Sequence, residues 1–575
     1  MHRFEVWAPT PTAVGVVVDG VRYPMEQRAG GWWRAEVPQA RPGSRYGFSL
    51  DGGEPRPDPR SMHQPDGVHG LSAVVDHDAF AWSDAAWRGV PLAGAVLYEL
   101  HVGTFSDGGT FEGVIEHLSH VVDLGIDAIE LLPVAEFPGD RGWGYDGVDL
   151  FAPHHRYGGP EGLKRLVDAC HRHGLGCVMD VVYNHLGPSG NYLPAFGPYF
   201  TERHHTPWGE AVNFDDVGAD EVRRFVVDNA LLWLRDYHCD GLRLDAVHAI
   251  VDPTPTHVLE QVGVAVEALA VQQGRPLFVI AENDTNDPRI VRPREAGGYG
   301  LDAAWADEWH HAVHVALTGE GDGYYQDFVD VGESLPTALR HAWVHHGDWS
   351  ASRGRAQGRS PAGLAPSRFV VCTQNHDQVG NRATGERTAA LVSPGRLEIA
   401  AALLLTTPFV PMLFAGEEWA ASTPFQYFTD HGEPELADAV REGRRAEFSS
   451  FGWAPEDVPD PQDPATFDRS RLDWSELDRP AHRRLLEWHR TLLACRRRVA
   501  AITDPGVPTE VTWEDGLLVV RRGPVFLAAN LSPQEHCVEV DEGAEVLAAS
   551  PETQVGVGST ALPVDTVVLW HRPAD

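Results

Sequence analysis

The pattern of apolar and polar positions changes character twice along the chain. Up to about residue 85, short alternating runs end in Asp-Gly turns, as at residues 14–18 before Asp19-Gly20. Closely spaced strands with such turns are typical of a small β-sandwich. After about residue 505 the turn-rich pattern returns, for example at residues 517–520. The sequence therefore predicts a β-domain near each end of the chain.

The central part of the chain alternates between helical and strand-like segments. Residues 111–124 place their apolar side chains on one face of a helix that ends at Gly125, and residues 160–173 and 221–237 repeat this pattern. Apolar runs of strand length accompany these helices at residues 95–98, 128–132, 175–182, 241–246, 277–281, 369–373 and 409–414. Repeated βα units predict an α/β fold, and their number suits a (β/α)8 TIM barrel with insertions. An open doubly wound sheet is the alternative, although no G-x-G-x-x-G motif follows the first strand.

Length and composition extend this picture to three domains. The chain has 575 residues, which is more than one hydrophobic core usually serves. With 43% hydrophobic and 22% charged residues, it has the composition of an ordinary folded protein. We predict an N-terminal β-sandwich at residues 1–88, a catalytic barrel at 89–500 and a C-terminal β-domain at 501–575.

The charge of the chain narrows the choice of ligand. Lys and Arg number 46 against 83 Asp and Glu, which gives a net charge of −37. Such a charge repels nucleic acid and anionic membranes, whereas 18 Trp and 13 Tyr side chains offer flat faces for uncharged ligands. The most apolar tract, residues 400–416, is interrupted by prolines and is too short to span a bilayer. We therefore expect no nucleic-acid partner and no membrane insertion.

The N-terminal sequence and the cysteines bear on the compartment. The opening MHRFEVWAP lacks the apolar stretch of a secretory signal. Six cysteines lie in apolar segments without C-x-x-C spacing, so we predict that they are buried free thiols. Both features favour a cytoplasmic protein.

Acidic residues follow the apolar runs at the points where barrel strands should end. Asp245 and Glu282 are 37 residues apart, about one βα unit, and should follow adjacent strands. Carboxyls so placed suit the short separation of a retaining glycosidase. Arg243 should project to the same face as Asp245 and keep it ionised as a nucleophile. Glu282 would then be the proton donor, since neighbouring carboxylates raise the pKa of a carboxyl group.

Further side chains near predicted strand ends suit the binding of a sugar. Asp377 would be a third carboxylate that binds hydroxyls as the ring flattens in the transition state. His185 and His376 can donate hydrogen bonds to hydroxyls, and Tyr145 offers a ring that can pack on an apolar sugar face. Each of these residues is also compatible with a purely structural role.

Four of these segments resemble the four conserved regions of the α-amylase glycoside hydrolase family. They are DVVYNH at residues 180–185, GLRLDAVH at 241–248, AEN at 281–283 and NHD at 375–377. The resemblance implies Asp245 as nucleophile, Glu282 as acid/base and Asp377 as stabiliser of the transition state. It also implies that the subsite of the cleaved sugar is formed by the side chains of Arg243, His185, His376 and Tyr145.

Within that family, other stretches resemble the branch that cuts the α-1,4 bond next to a terminal trehalose unit. They are residues 98–105, 134–146, 187–193, 206–209, 213–215 and 374–381. The implied substrate is maltooligosyl trehalose or a related α-glucan, and trehalose is the implied product. His248 stands where α-amylases usually carry Lys and is expected on the leaving-group side, with Trp208 and Asn191 as further candidates.

Two alternatives to this activity stay open. Residues 6–9, VWAP, resemble the start of a β-sandwich that branching and debranching enzymes share, so a glycogen branching or debranching enzyme is the nearest rival. A non-catalytic α-glucan-binding protein on the same barrel is the rival from another class. Asn184 matches a calcium-associated position of the amylases, but no other ligands can be assigned and neither HExxH nor an EF-hand loop is present. We predict no required metal and no cofactor.

Overall fold

A closed barrel of eight parallel strands forms the centre of the protein. The computed structural model describes residues 2–449, 454, 458–540, 543–556 and 558–572. In chain order the barrel strands are Leu97–Leu100, Ala128–Leu131, Gly176–Val181, Gly241–Leu244, Phe278–Ala281, Ala303–Trp305, Phe369–Cys372 and Val410–Phe414. Each pairs with the next, and the eighth pairs with the first through Met412 opposite Leu97. The predicted (β/α)8 fold is therefore confirmed.

Helices surround this barrel and follow its strands. The longer ones are Phe111–Leu124, Gly159–Arg172, Ala219–Arg235, Val258–Gln273, Asp307–Thr318, Val331–His341, Pro394–Leu405, Pro434–Ser449 and Pro480–Arg498. Shorter helices are Val102–Phe105, Leu193–Phe196, His376–Gly380 and Pro464–Arg469. The first long helix has local start and stop signals, because the Thr110 hydroxyl accepts the N–H of Gly113 and Gly125 ends it with φ of 103°.

Seven of the eight barrel strands correspond to predicted apolar runs, and the sixth does not. Ala303–Trp305 has only three residues, two of them alanines, so it gives no apolar run of strand length. It is recognised in the structure because Ala303 pairs with Ile280 and Trp305 with Val370. This strand was missed because the neighbouring strands, rather than its own composition, define it.

The barrel interior is filled by side chains from these strands. Buried members of this core are Leu97, Ala128, Val178, Phe278, Ile280, Ala303, Trp305, Val370, Cys372, Val410 and Met412. Such a packed interior leaves the C-terminal ends of the strands as the place where polar groups can meet a ligand.

The N-terminal domain consists of antiparallel strands in two sheets. Its strands are His2–Trp7, Val14–Val18, Val21–Pro24, Glu26–Gln27, Trp32–Val37, Arg45–Leu50, Pro55–Arg56 and Ser72–Ala73. It packs on the barrel loops, where the N–H of Thr10 donates to the carbonyl of Phe196 at 3.2 Å. Arg60 pairs with Asp228 at 2.7 Å across the same junction.

The C-terminal domain is also antiparallel. One sheet contains Glu510–Glu514, Leu517–Arg522, Val525–Asn530, Glu545–Ala549 and Thr566–His571, and a smaller one contains His536–Glu539, Gln554–Val555 and Ser559–Leu562. The Arg396 guanidinium joins this domain to the barrel through Asp565 at 2.9 Å. The expected β-domains at both ends are thus present, while the boundaries after residues 88 and 500 stay predictions.

Three short hairpins and the cysteines complete the description. The hairpins pair Ala135–Glu136 with Asp149–Pro153, Phe200–Thr206 with Gly209–Val212, and Trp349–Ser350 with Arg355–Ala356. All six cysteines are free thiols, but Cys537 is exposed, so the prediction of burial was wrong for this residue. Cys537 lies on the short strand His536–Glu539, in which alternate side chains face solvent. Among the described residues, no helix is both long and apolar enough to cross a membrane.

Candidate active site

Asp245 and Glu282 leave two adjacent barrel strands at the same level. The fourth and fifth strands pair with Leu244 opposite Ala281, so these two acids are the first residues after the strands. The N–H of Glu282 donates to the Leu244 carbonyl at 2.9 Å, which extends the pairing to the strand ends. The adjacency inferred from the sequence spacing is therefore what the structure has.

The guanidinium of Arg243 joins three carboxylates beneath this pair. Nη1 of this fully buried side chain donates to both oxygens of Asp180, at 2.9 and 2.8 Å, and to Oδ1 of Asp245 at 2.9 Å. Nη2 lies 2.9 Å from Oε2 of Glu282 without hydrogen-bond alignment. Trp305 lies against the guanidinium at 4.2 Å from its ring centroid. Burial opposes the charge, but Asp180 and Glu282 outweigh it and raise the pKa of Arg243.

Asn184 fixes the carboxylate of Asp245 from the other side. Its Nδ2 donates to Oδ2 of Asp245 at 2.7 Å and to the Asp245 carbonyl at 2.9 Å. Both oxygens of Asp245 therefore accept hydrogen bonds from buried donors. The amide at the position linked to calcium in the amylases is here a neighbour of the acid that follows the fourth strand.

Glu282 lies in an environment that favours its protonated form. Burial, with a further contribution from Asp245, raises its pKa, although Arg243 and a backbone N–H act in the opposite direction. That N–H belongs to Ala246 and donates to Oε2 at 2.6 Å. Ala246 has φ of 38°, a left-handed conformation that is costly for a residue with a Cβ. The strained turn after Asp245 thus directs a backbone donor at Glu282.

His376 is held as a cation by a glutamate that the sequence analysis did not single out. The backbone N–H and Nδ1 of His376 donate to the two oxygens of Glu99, at 2.9 and 2.6 Å. Burial lowers the pKa of His376, but the charges of Glu99 and Asp377 outweigh burial and raise this pKa to about 9. With both ring nitrogens protonated, Nε2 donates to the Tyr145 hydroxyl at 2.8 Å.

Tyr145 connects this histidine to the arginine cluster. Its hydroxyl donates to Oδ2 of Asp180 at 2.7 Å, and its ring stacks on His376 with centroids 5.2 Å apart. Burial raises the pKa of Asp180 to about 7. Asp377 lies beside this group, with Oδ1 3.6 Å from Nε2 of His376 and its side chain 37% exposed. Asp377 is therefore the part of this group that is most open to solvent.

His185 and His248 lie at other parts of the rim. The His185 ring stacks on the half-exposed Trp208, with centroids 4.5 Å apart and planes 11° from parallel. Burial lowers the pKa of His185, which favours a neutral ring. His248 is exposed, and its Nδ1 accepts the N–H of Asp284 at 3.4 Å. The structure thus brings Arg243, Tyr145 and His376 into one network with the carboxylates, while His185 and His248 border it.

Asp307 is a further acid that the sequence analysis missed. It follows the unpredicted sixth strand and begins the helix Asp307–Thr318. Burial and the nearby charges of Glu282 and Asp377 raise its pKa to about 8, so it is neutral at pH 7. Its position after Trp305 is the signal that could have revealed it, but only once that strand is recognised. Glu99 comes directly after the predicted apolar run at residues 95–98, and Asp180 begins the segment DVVYNH already noted.

One cluster of possible metal ligands occurs among the described residues. Ligand atoms of Glu136, His154 and His155 lie within 4.8 Å of one another. Glu136 accepts two hydrogen bonds from His155, at 2.8 and 2.7 Å. His154 accepts the N–H of Arg156 and lies 3.2 Å from the Gly139 carbonyl. These atoms already form hydrogen bonds with one another or with the backbone. The cluster therefore fits a hydrogen-bond network better than a metal site.

Replacing Glu99 with Gln should expose its role in holding the charge of His376. The imidazolium is present below pH 9, and without the carboxylate its pKa should fall below that value, so activity should be lost at lower pH than in the wild type. At pH 8 we expect kcat/KM to fall by about ten- to a hundredfold. This matches the roughly 1.5–3 kcal/mol that a hydrogen bond to a charged group contributes. Steady-state kinetics from pH 5 to about 10 measure this shift.

Glu130→Gln is the matched control for Glu99→Gln. Glu130 lies opposite Glu99 on the next strand, and burial raises its pKa well above the ordinary value, so Gln replaces an acid whose neutral form is favoured. A raised pKa of His376 contributes stability below pH 6.5 that is lost as the pH rises through about 9. The melting temperature should therefore fall as the pH rises through about 9. This fall should be smaller in Glu99→Gln and unchanged in Glu130→Gln. An unchanged pH profile in Glu99→Gln would contradict the assignment.

Comparisons with known proteins agree with this geometry. The alpha amylase catalytic domain matches residues 74–196, and carbohydrate-binding module 48 (isoamylase N-terminal domain) matches residues 1–63. The malto-oligosyltrehalose trehalohydrolase of Arthrobacter ramosus is 50% identical over 98% of this chain and 98% of its own length. That of Rhizobium sp. (strain M-11) is 47% identical over 99% and 97%.

A solved structure supports the same relationship. A chain from Salmonella typhimurium, assigned as an alpha amylase, has a TM-score of 0.91 and 37% identity, with 99% of this chain and 97% of that chain covered. The barrel, the N-terminal module and the similarity over nearly the whole sequence all point to one group of proteins. The chain belongs to the malto-oligosyltrehalose trehalohydrolases, within the alpha-amylase family of glycosidases.

Proposed function

We propose that this protein hydrolyses the α-1,4-glucosidic bond next to the terminal trehalose unit of maltooligosyl trehalose and releases trehalose and a maltooligosaccharide. The observation that carries the chemistry is the single guanidinium of Arg243 in contact with Asp245 and Glu282 at adjacent strand ends. Asp245 is held by hydrogen bonds, and Glu282 has a raised pKa. A retaining glycosidase needs one ionised carboxyl as nucleophile and one protonated carboxyl as acid. The choice of substrate rests on the similarity to the trehalohydrolases.

In the first half-reaction, a carboxylate oxygen of Asp245 attacks the anomeric carbon. The C1–O bond to trehalose breaks, and Glu282 gives its proton to the departing oxygen. The product is free trehalose and a glycosyl ester on Asp245. Arg243 stays charged throughout, because the surrounding carboxylates raise its pKa.

In the second half-reaction, Glu282 acts as a base. It takes a proton from water, the water oxygen attacks C1, and Asp245 leaves as a carboxylate. Two inversions return the α configuration, so the maltooligosaccharide carries an α-hydroxyl at its new reducing end. Asp377 would bind hydroxyls of the reacting sugar more tightly as its ring flattens, and the His376 imidazolium, held by Glu99 and Tyr145, adds a positive charge beside it. Tyr145 packs beside them.

The leaving group would occupy the rim on the side of Glu282. His248 borders this side through its contact with Asp284, whose carboxylate pairs with Arg353 at 2.7 Å. His185 and Trp208 form a stacked pair with the indole half exposed, a suitable surface for a sugar face. We assign the binding of trehalose to the side of Glu282 and His248, whereas the stacked pair of His185 and Trp208 lies beside Tyr145 and Asp146.

A product assay tests the proposed function. The purified protein is incubated with maltotriosyl trehalose and, separately, with amylopectin and with pullulan. We expect equimolar trehalose and maltotriose from the first substrate, with the α anomer of maltotriose formed first in a proton NMR time course. Branch points in amylopectin should stay constant in number.

The rival activities give different products in this assay. A branching enzyme would create α-1,6 linkages in amylopectin, and a debranching enzyme would remove them or cut pullulan. Absence of trehalose, in a preparation that acts on α-1,6 linkages, would replace the proposed function by one of these.

A further inference from the structure

A polar cleft lies where the N-terminal domain meets the barrel, away from the catalytic carboxylates. It has a volume of about 370 Å³, and its walls come from residues 10–11 and 50–57 of the N-terminal domain, from His69, and from Tyr192 and Ala195 of the barrel. This volume is within the range of small-molecule sites. The cleft belongs to neither the acid pair nor the subsite formed by Tyr145 and His376.

The cleft contains side chains suited to an uncharged sugar. The Arg56 guanidinium lies 5.0 Å from the ring centroid of Tyr192, and the Tyr192 hydroxyl is 2.8 Å from Nδ1 of His69. In the part of the chain that the structure describes, the exposed Arg56 side chain has neither an ion pair nor a hydrogen bond, so its donors are available. An aromatic ring beside free polar donors is the combination that packs on a sugar and binds its hydroxyls.

A continuous row of polar groups connects the cleft to the candidate active site. The row starts at Asp146, which follows Tyr145 in the chain. Oδ2 of Asp146 lies 3.7 Å from Nε2 of His431. Glu433 follows two residues later and accepts a hydrogen bond from Ser189 at 2.7 Å. The same carboxylate oxygen lies 3.5 Å from Nε2 of His69.

This row is open to solvent at Asp146, Glu433 and His69, whereas the side chains of His431 and Ser189 are buried. The side chains of Asp146, Glu433 and His69 are 34%, 45% and 57% exposed. A chain of sugar units leaving the site on the side of Tyr145 would therefore meet exposed hydrogen-bonding groups at Asp146, Glu433 and His69 before it reaches the cleft.

The direction of the substrate follows from the proton donor. Glu282 contacts Nη2 of Arg243, whereas Asp180, which binds Tyr145, contacts Nη1. The leaving trehalose must lie on the side of Glu282, because that residue protonates its oxygen. The non-reducing glucosyl arm, which stays attached to the reacting sugar, then extends past Tyr145 and Asp146.

We propose that the cleft between the N-terminal domain and the barrel binds the distal glucosyl units of the non-reducing arm of long maltooligosyl trehaloses. The proposal rests on the proposed function for the identity of the substrate. Tyr192 and Arg56 are its principal contacts. The cleft would give the enzyme a preference for long substrates that the catalytic subsites alone do not provide.

Substrates of two lengths test this proposal. Steady-state kinetics are measured with maltosyl trehalose and maltohexaosyl trehalose for the wild type, Tyr192→Ala and Arg56→Ala. Tyr192→Ala should raise KM for the long substrate by about five- to tenfold, as expected for loss of an aromatic contact, and leave its kcat unchanged. The KM for the short substrate should change by less than about twofold, because that substrate ends before the cleft.

The matched control is Arg41→Ala, which removes an exposed arginine from the same domain outside the cleft. It should behave as the wild type with both substrates. Equal effects of Tyr192→Ala on long and short substrates, or none on either, would overturn the proposal. A melting temperature for each variant identifies any loss of folding.

A binding measurement separates failure of the cleft from failure of the proposed function. Maltoheptaose is titrated by calorimetry into Glu282→Gln and into the double variant Glu282→Gln/Tyr192→Ala. This measurement of binding does not require catalytic activity. Weaker binding to the double variant supports the cleft even if the wild type releases no trehalose. Equal binding to both proteins overturns the cleft even if trehalose is released.

Discussion

Replacing Asp245 with Asn is expected to reduce trehalose release by about ten-thousandfold or more, because the amide cannot form the glycosyl ester and the remaining binding groups supply little chemistry on their own. The amide has nearly the same volume as the carboxylate, and Arg243 and Asn184 can still pack against it. We therefore expect folding to be retained. Initial rates with maltotriosyl trehalose and a circular dichroism melt measure the two quantities.

A second variant distinguishes a nucleophile from a structural acid. Asp245→Gly leaves space for a small anion, so azide should restore turnover and yield a β-glycosyl azide by a single inversion. Asp123→Asn, at an exposed position on the helix Phe111–Leu124, is the control and should keep full activity. Near-normal turnover by well-folded Asp245→Asn would refute the assignment.

Replacing Glu282 with Gln removes the proposed proton donor and should lower kcat for maltotriosyl trehalose by about a hundred- to ten-thousandfold. The loss should depend on the leaving group. An α-maltosyl fluoride needs no proton to depart, so its glycosyl ester should still form on Asp245 and accumulate, because no base activates water. Mass spectrometry of the intact protein, followed by peptide mapping to Asp245, measures this ester.

The pH profile gives an independent test of Glu282. Burial raises its pKa, and the reactive form is protonated, so wild-type activity should fall on the alkaline side as that proton is lost. In the fluoride reaction the alkaline fall caused by Glu282 should be absent, and only the fall near pH 9 that follows deprotonation of His376 should remain. An unaltered rate of trehalose release in Glu282→Gln would favour a non-enzymatic role for the barrel site.

Much of the site could be inferred from single residues at strand ends. Asp245 and Glu282 each come directly after a short buried strand, and parallel strands bring such positions to one face of the barrel. Arg243 could be placed by alternation, because it is two residues before Asp245 on the same strand. These inferences need only the period of a strand and the order of the units.

The residues that escaped the sequence analysis depend on distant partners. Glu99 lies within a buried four-residue strand, LYEL, and its role appears only when His376 meets it from 277 positions along the chain. Asp307 follows a strand of three residues that has no pattern of its own. The left-handed turn at Ala246 cannot be predicted from the sequence, because no glycine occupies that position. Tertiary pairing, rather than local sequence, determines all three.

The pairing of the eighth strand with the first has a consequence for biosynthesis. Glu99 is translated long before His376, and the first strand finds its last neighbour only when Met412 has left the ribosome. Closing a ring of this size requires contacts of very large sequence separation, which form late. A nascent chain should thus lack hydrolytic activity until the eighth strand has left the ribosome and closed the barrel.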